Sequence, residues 1–353
     1  MIKTLSPYYV SIPLISPNSS EICTQYTIKI YVWSGNKSAV PSEPNYEITK
    51  INAAALDTTD KVNIARIVND FIDFTCVQST VTSLEDGDNQ SWVKFECYYL
   101  TSDESDTDLA QLVQTVLATK GYGYFLEGEN PQIPTNKTLL TGDEFKANRS
   151  GFYVQAILAD EVTPSSITVK SYPGNEIDYT ISVPDTEYSN ELVKYLWVKV
   201  DEATIDEYIE VIYNGVTTTI LITDECRYTP LDIAFQNKEG AIQILTFFKK
   251  KTDSMSIKSE RYEGNRTIGQ HQFIKFNIQG SSKFNANTGY VVEDRNEAIK
   301  QLLLSERVWL LDNGTEIPLN VGTPSLEFKT RANDRLINYT IEFEYAFNDI
   351  NNV

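Results

Sequence analysis

The 353-residue sequence predicts a mainly-β protein of two or three β-sandwich-like domains with a few short helices. Three observations predict it. Aromatic residues are abundant, with 21 Tyr and 15 Phe against two Met, and Ile, Val and Thr recur in short runs; such side chains fit a half-buried pleated surface. Several of these runs alternate with period two, which places every second side chain on one face of a strand. Turn signals such as Ser34-Gly35-Asn36 and Asn214-Gly215 separate the runs. A 41% hydrophobic and 22% charged composition suits folded domains and not disorder.

Residues 1–20 read as an extended N-terminal arm. Pro7, Pro13 and Pro17 fix φ and remove backbone donors. Tyr8, Tyr9, Val10, Ile12, Leu14 and Ile15 between them need burial, on the edge of their own domain or on a neighbouring subunit. With its apolar residues interrupted by proline, the arm fits neither a signal peptide nor a membrane span.

Residues 21–148 read as a β-sandwich-like domain. In residues 24–34, Tyr26, Ile28, Ile30 and Val32 share one face, and Tyr31 and Trp33 the other. A loop at Pro41–Pro44 leads to a second strand through Tyr46, Ile48 and Ile51. Strand, turn, loop and strand at this spacing fit an immunoglobulin-like or fibronectin-like sandwich. Residues 61–74 carry Val62, Ile64, Ile67, Val68, Phe71 and Phe74 at spacings of three and four, which predicts an amphipathic helix capped by Thr58, Thr59 or Asp60. Trp92–Leu100 reads as a strand, residues 107–120 fit a helix or a strand equally, and 127–144 are loop-like.

Residues 149–225 read as a middle β domain with strands at 151–158, 166–172, 177–183, 192–200, 208–213 and 216–223. Tyr213-Asn214-Gly215-Val216 is a tight-hairpin signal, because Asn-Gly supplies positive φ at both turn centres. Residues 226–353 read as a C-terminal α+β domain. Ile233 and Phe235, then Ile242 and Ile244, flank a turn at Asn237–Gly240, with the alternation slipping at Phe247 and Phe248. Strands are expected at 271–280 and 337–347. Residues 293–306 predict a helix with Ile299, Leu302 and Leu303 as its stripe and Glu293 and Asp294 at its positive end.

The net charge of −19 argues against generic or sequence-specific nucleic-acid binding, which needs a basic face. The acidity serves solubility, or forms a wall that repels passing DNA. Cys23, Cys76, Cys97 and Cys226 lack CxxC spacing, so neither a zinc site nor a redox motif is indicated, and reduced, buried thiols are expected.

Chemistry is poorly supplied. His271 is the single histidine and falls in an expected strand, Gln270–Phe276, so sites needing two His ligands are excluded. Neither GxxxxGK[ST] nor GxGxxG occurs, and Gly121–Pro131 reads as a strand end and turn whose aromatics pack. Asp103, Glu104, Asp106 and Asp108 are the densest acidic run, out of register for a calcium loop. Asp86-Gly87-Asp88 reads as a turn before a metal site. Lys249-Lys250-Lys251 is either a solvated strand end or a patch facing an acidic neighbour. No catalytic, cofactor-binding or metal-binding residue is assigned, and no cofactor is expected. The leading expectation is a non-enzymatic protein. A carboxylate-pair hydrolase is kept as a lesser reading because such pairs are defined by distance.

Several segments, in order, resemble tail and ring components of virions of phages that infect Bacteroidota, including the crAss-like phages. They are Leu5–Pro13, then Tyr26–Gly35 with Pro44 and Tyr46–Lys50, then Gly121–Pro131 (GYGYFLEGENP). Cys226–Pro230 and Phe235–Ala241 follow, then Asn287–Tyr290, Leu302–Ser305 and Asn338–Phe343. The resemblance implies a structural virion protein of a phage tail, a ring, hub or adaptor component, assembled in the host cytoplasm. It implies a homo-oligomeric ring around the tail axis that contacts other tail and portal-proximal proteins, with no membrane partner. The alternative is a tail-associated adhesin or glycan-binding module, with Trp33, Trp92, Trp197 and Trp309 as aromatics that could stack on sugars.

Overall fold

A computed structural model describes residues 1–14, 23–52, 59–100, 112–142, 144–159, 166–172, 174–180, 192–200, 208–312, 314–323, 325–329 and 337–349. The protein is mainly β. Among the described residues its strands form five sheets, with two α-helices, Ala65–Asn69 and Arg295–Leu304.

The N-terminal sheet runs Ile2–Lys3, Leu112–Thr119, Gln90–Leu100, Gln25–Trp33, Tyr46–Ile51, antiparallel except at its first pair. Residues 112–119, open between helix and strand in the sequence, are therefore a strand; residues 107–111 lie outside the described residues. The alternation expected at 24–34 is realised on two cores. Tyr26, Ile28, Ile30 and Val32 pack on a core with Val10, Ile12, Val62, Ile64 and Val68. Tyr31 and Trp33 point the other way.

That first core includes a small ladder of Tyr9–Pro13 on Thr59–Asn63. Here the helix expected over 61–74 is corrected. Thr59–Asn63 is a strand, only Ala65–Asn69 is helical, and Phe71 is exposed. The proline-interrupted arm needs a backbone partner for Tyr9–Pro13. Val62 and Ile64 alternate with Lys61 and Asn63 well enough to supply one, so tertiary pairing overrides the helical period. The Asn63 side chain then accepts from the Ala65 and Tyr8 backbone N–H groups, starting the short helix one turn late.

A three-stranded sheet, Phe152–Ala159, Leu192–Lys199, Ser83–Asp86, sits between two layers. One face, with Val154, Ala156, Leu158, Tyr195 and Trp197, meets Trp33, Trp92 and Leu117 of the N-terminal sheet and Ala234, Ile242 and Ile244 of the C-terminal sheet. The other face, with Tyr153, Ile157, Leu196 and Val198, packs on a sheet ordered Asn175–Thr180, Ser166–Ser171, Tyr208–Tyr213, Val216–Thr223, Glu144–Asn148. Among the described residues the strands expected over 151–223 are present, residues 181–183 of the one expected at 177–183 lying outside them, and Asn214 (φ 48°) and Gly215 (φ 74°) form the expected hairpin turn. The borders expected at 148/149 and 225/226 are both bridged. Across the first, Ser83–Asp86 pairs with Leu192–Lys199, and Glu144–Asn148 pairs in parallel with Val216–Thr223; across the second, the Phe152 N–H donates to the Asp232 carboxylate and Val154, Ala156 and Leu158 share a core with Ala234, Ile242 and Ile244.

The C-terminal sheet has seven antiparallel strands in the order Ile242–Phe247, Leu231–Gln236, Val308–Asp312, Thr315–Val321, Thr340–Tyr345, Phe273–Asn287, Thr252–Glu263. The helix expected at 293–306 is Arg295–Leu304, with Ala298, Ile299 and Leu302 on the sheet. The slip of alternation near Phe247 has a cause: Ile242 and Ile244 face one core, Leu245 and Phe247 another, so this strand is buried on both faces.

Candidate interaction surfaces

The residues singled out for chemistry are dispersed. His271 is not in a strand; it lies exposed in the loop just before Phe273–Asn287. Asp103, Glu104, Asp106 and Asp108 lie outside the described residues. Asp86 is paired with Lys194, and Gly87 is pressed against the Tyr195 ring and the Val193 carbonyl, so this segment is a pinned turn. It borders an open polar cleft of about 520 Å³ that also meets Trp92. Lys249 pairs with Glu225, and Lys251 with Asp253 at 2.9 Å. Among the described residues no group of three or more His, Cys, Asp and Glu side chains could hold a metal ion. A cavity of about 30 Å³ beside Arg295 and Lys146 has room for a water or two. Burial pushes Arg295 down to about 10, and its guanidinium lies 4.5 Å from the centre of the Phe145 ring.

The tryptophans belong to the interior. Trp33, Trp92 and Trp197 are buried, and Trp309 stacks on Phe74 at 5.9 Å. The Trp33 and Trp92 indoles donate to the Asn36 and Gly35 carbonyls, fastening that turn. Of the thiols, Cys23, Cys76 and Cys97 are buried as expected, but Cys226 is exposed.

The unusual surface is elsewhere. Thr252–Glu263 and Phe273–Asn287 form a hairpin at one edge of the seven-stranded sheet, and every residue of the first strand is exposed. The second strand pairs with Thr340–Tyr345 only through Lys283–Asn287. From Phe273 to Ser282 the hairpin is two-stranded and extends roughly 34 Å at ~3.4 Å per residue. Its root is held: the Asp349 N–H donates to the Gly280 carbonyl at 2.9 Å, Ser282 donates to the Asp349 carboxylate, and Lys283 lies between Glu342 and Glu344.

This arm is apolar on both faces. Opposed residues in an antiparallel pair share a face, so Tyr262, Ile274 and Phe276 lie together, with the Tyr262 and Phe276 rings 5.7 Å apart. Met255 and Ile257 occupy the other face nearer the root. A bulge at Asn277 (φ 49°) shifts the register by one residue between them. Ile257 is 65% exposed, Met255 57%, Tyr262 50% and Phe273 49%, on a free edge strand that invites pairing. Burying each such side chain is worth ~1.5–3 kcal/mol. An isolated two-stranded hairpin is marginal in water, so this one gains most from a second surface.

A second apolar feature stands on the Gly121–Pro131 segment. Phe125 and Leu126 are 97% and 96% exposed on a single 3-10 turn, Phe125–Glu127. The expectation that its aromatics pack holds for Tyr122 and Tyr124, half-buried and edge to face at 5.8 Å, and fails for Phe125. The turn is held firmly by three segments, the first two of which fall within the resembling stretches Leu5–Pro13 and Phe235–Ala241. From the N-terminus, the Leu5 N–H donates to the Gly121 carbonyl, and the Asn130 amide accepts from the Tyr9 N–H and donates to its carbonyl. From the Asn237–Gly240 turn, the Lys238 carbonyl accepts from the Tyr122 N–H at 2.8 Å. From the helix Arg295–Leu304, the Glu297 carboxylate accepts from the Tyr124 hydroxyl at 2.5 Å, and Lys300 Nζ sits 3.7 Å from the centre of the Tyr124 ring. Burial, and then that hydrogen bond, raise the Tyr124 phenol far above its ordinary value.

Comparison with protein-family models, curated proteins and solved structures finds no match to this chain. Among the described residues no helix is long and apolar enough to cross a membrane.

Proposed function

We propose that the chain is a structural, non-enzymatic virion protein of a phage tail. It oligomerises around the tail axis as a ring, hub or adaptor component and contacts neighbouring tail or portal-proximal proteins. The observation that carries this reading is the two-stranded arm, roughly 34 Å long, with apolar side chains on both faces. Such an arm costs stability in a monomer and contributes it in an assembly. The ordered resemblance of the segments supplies the phage tail. The convergence of Leu5–Pro13 and Phe235–Ala241 on Gly121–Pro131 supports treating these three as one unit. We also read the face-to-face packing of the Phe152–Ala159 and Tyr208–Tyr213 sheets as an immunoglobulin-like or fibronectin-like sandwich, on the strength of their shared core.

The decisive experiment is mass spectrometry of purified virions, with localisation of the chain by electron cryomicroscopy. Stoichiometric presence in the tail is expected; absence from intact virions refutes the reading.

A further inference from the structure

Two edge strands and the start of a helix meet at the small cavity beside Arg295. Glu144–Asn148 ends one sheet and Ile242–Phe247 ends the seven-stranded sheet. Each supplies part of the wall, and Arg295 and Ile299 of the helix Arg295–Leu304 supply the rest.

The cavity is positively charged. Arg295 is 7% exposed, and among the described residues its guanidinium forms no ion pair and donates no hydrogen bond; it faces the Phe145 ring at 4.5 Å. A ring face offsets only part of the cost of burying a cation. Lys146 supplies a second charge, its Nζ donating to the Tyr290 carbonyl at 2.9 Å. Burial first, and then the charge of Arg295, hold the Lys146 ammonium below its ordinary value, so the two cations crowd one another. The positive end of a ten-residue helix adds to them. Glu144 stands exposed at the rim and restores only part of what burial takes from Arg295; Glu293 and Asp294 do not line the cavity. The wall hydroxyls are committed elsewhere. Thr246 donates to the Asp232 carboxylate, and Thr288 donates to the Gly289 carbonyl and accepts from the Tyr339 N–H. What remains is two cations among apolar walls, an environment that penalises both until an anion enters.

Size and shape name the anion. A volume of about 30 Å³ takes two water-sized groups at ~10–15 Å³ each. The two oxygens of a carboxylate fill it, whereas the four of a sulfate or phosphate do not fit. A guanidinium fork also matches a carboxylate, which accepts two parallel N–H bonds from it.

We propose that this cavity is a carboxylate-binding site, in which Arg295 and Lys146 clamp the carboxylate head of a small free acid or of an acidic side chain on a neighbouring protein. The bound group ties the helix start to both edge strands. The inference does not rest on the assembly reading above.

The test is isothermal titration calorimetry of the full-length chain with sodium formate. Sodium sulfate is the size control, and N-acetylglutamic acid α-amide stands in for an acidic side chain. Formate is expected to bind once per chain and sulfate not at all. Tighter binding of the stand-in than of formate assigns the carboxylate to a neighbouring protein; weaker binding assigns it to a free acid. Lys146→Gln should weaken binding roughly tenfold, the loss of one charged hydrogen bond. Arg295→Met should abolish it. In formate-free buffer Arg295→Met should also melt at least as high as the unaltered chain, because it removes an uncompensated buried charge; an arginine with a purely structural role would leave a chain that melts lower. Lys146 is only half-buried, so Lys146→Gln keeps the test open should Arg295→Met not fold. No saturable heat with either carboxylate, sulfate that binds as tightly as formate, or a Lys146→Gln chain that binds unchanged overturns the proposal.

Discussion

Replacing Lys3 by Met probes how the N-terminal strand is fastened to the body. Lys3 Nζ lies 2.7 Å from Glu239 Oε2, with the Lys3 side chain fully buried and that of Glu239 8% exposed. The contact is close but poorly aligned as a hydrogen bond, so the pair is chiefly electrostatic. Burial holds the Glu239 carboxyl above its ordinary value, and Lys3 pulls it only partly back. Methionine keeps most of the apolar stem, so the main loss is the counter-charge. Stranding a buried carboxylate costs ~3–5 kcal/mol. The pH dependence follows from the sign of the shift. A raised carboxyl contributes stability fully below its unfolded value of 4.5, and that contribution is lost as pH rises through the folded value. Without Lys3 the folded value moves higher, so Lys3→Met should be costly at pH 7 and much less costly near pH 4.5, each compared with the unaltered chain at the same pH. Adding Glu239→Gln should recover part of the loss at pH 7. Urea unfolding followed by tryptophan fluorescence measures all three. A cost below ~1 kcal/mol at pH 7, or one equal at both pH values, refutes the reasoning.

Three other outcomes follow from packing. Gly240 (φ 74°) admits no Cβ, because one would meet the Gly121 backbone nitrogen at 2.5 Å; Gly240→Ala should cost about 3 kcal/mol. Gly215→Ala, with the same φ but open space around it, should cost about 1 kcal/mol, and paired thermal melts give the contrast. Trp197→Ala, at the meeting of three sheets, should cost ~3–5 kcal/mol by chemical denaturation, and a value within 1 kcal/mol of zero would contradict that core. With thiol reagent at pH 8, Cys226 should react quickly and Cys23, Cys76 and Cys97 only on unfolding. Burial raises the Cys76 and Cys97 thiols to about 12, and a second fast thiol would show an open core.

Much of the local structure was legible in the sequence. Period-two runs from 151 to 223 became strands, Asn214-Gly215 became a hairpin turn, and the stripe at 293–306 became Arg295–Leu304, because in each case local preference and tertiary environment agree. Residues 61–74 failed where they disagree: the pattern of Val62, Ile64, Ile67 and Val68 suits a helix, and the Tyr9–Pro13 backbone needed a ladder. His271 lies outside the strand that its sequence predicts, because that strand begins two residues later.

The candidate surfaces were less legible. By itself the sequence determined the β character, the acidity, the shortage of metal-binding and nucleophilic motifs, and the segments of interest. Tertiary structure alone decided that Gly121–Pro131, the N-terminal strand and the Asn237–Gly240 turn form one junction, and that Phe125, Leu126 and the arm face outward. Alternation along a strand tells which side chains share a face. Whether another layer covers that face depends on residues distant in the chain: Ile28 and Ile257 carry the same local signal, and only the first has a core above it.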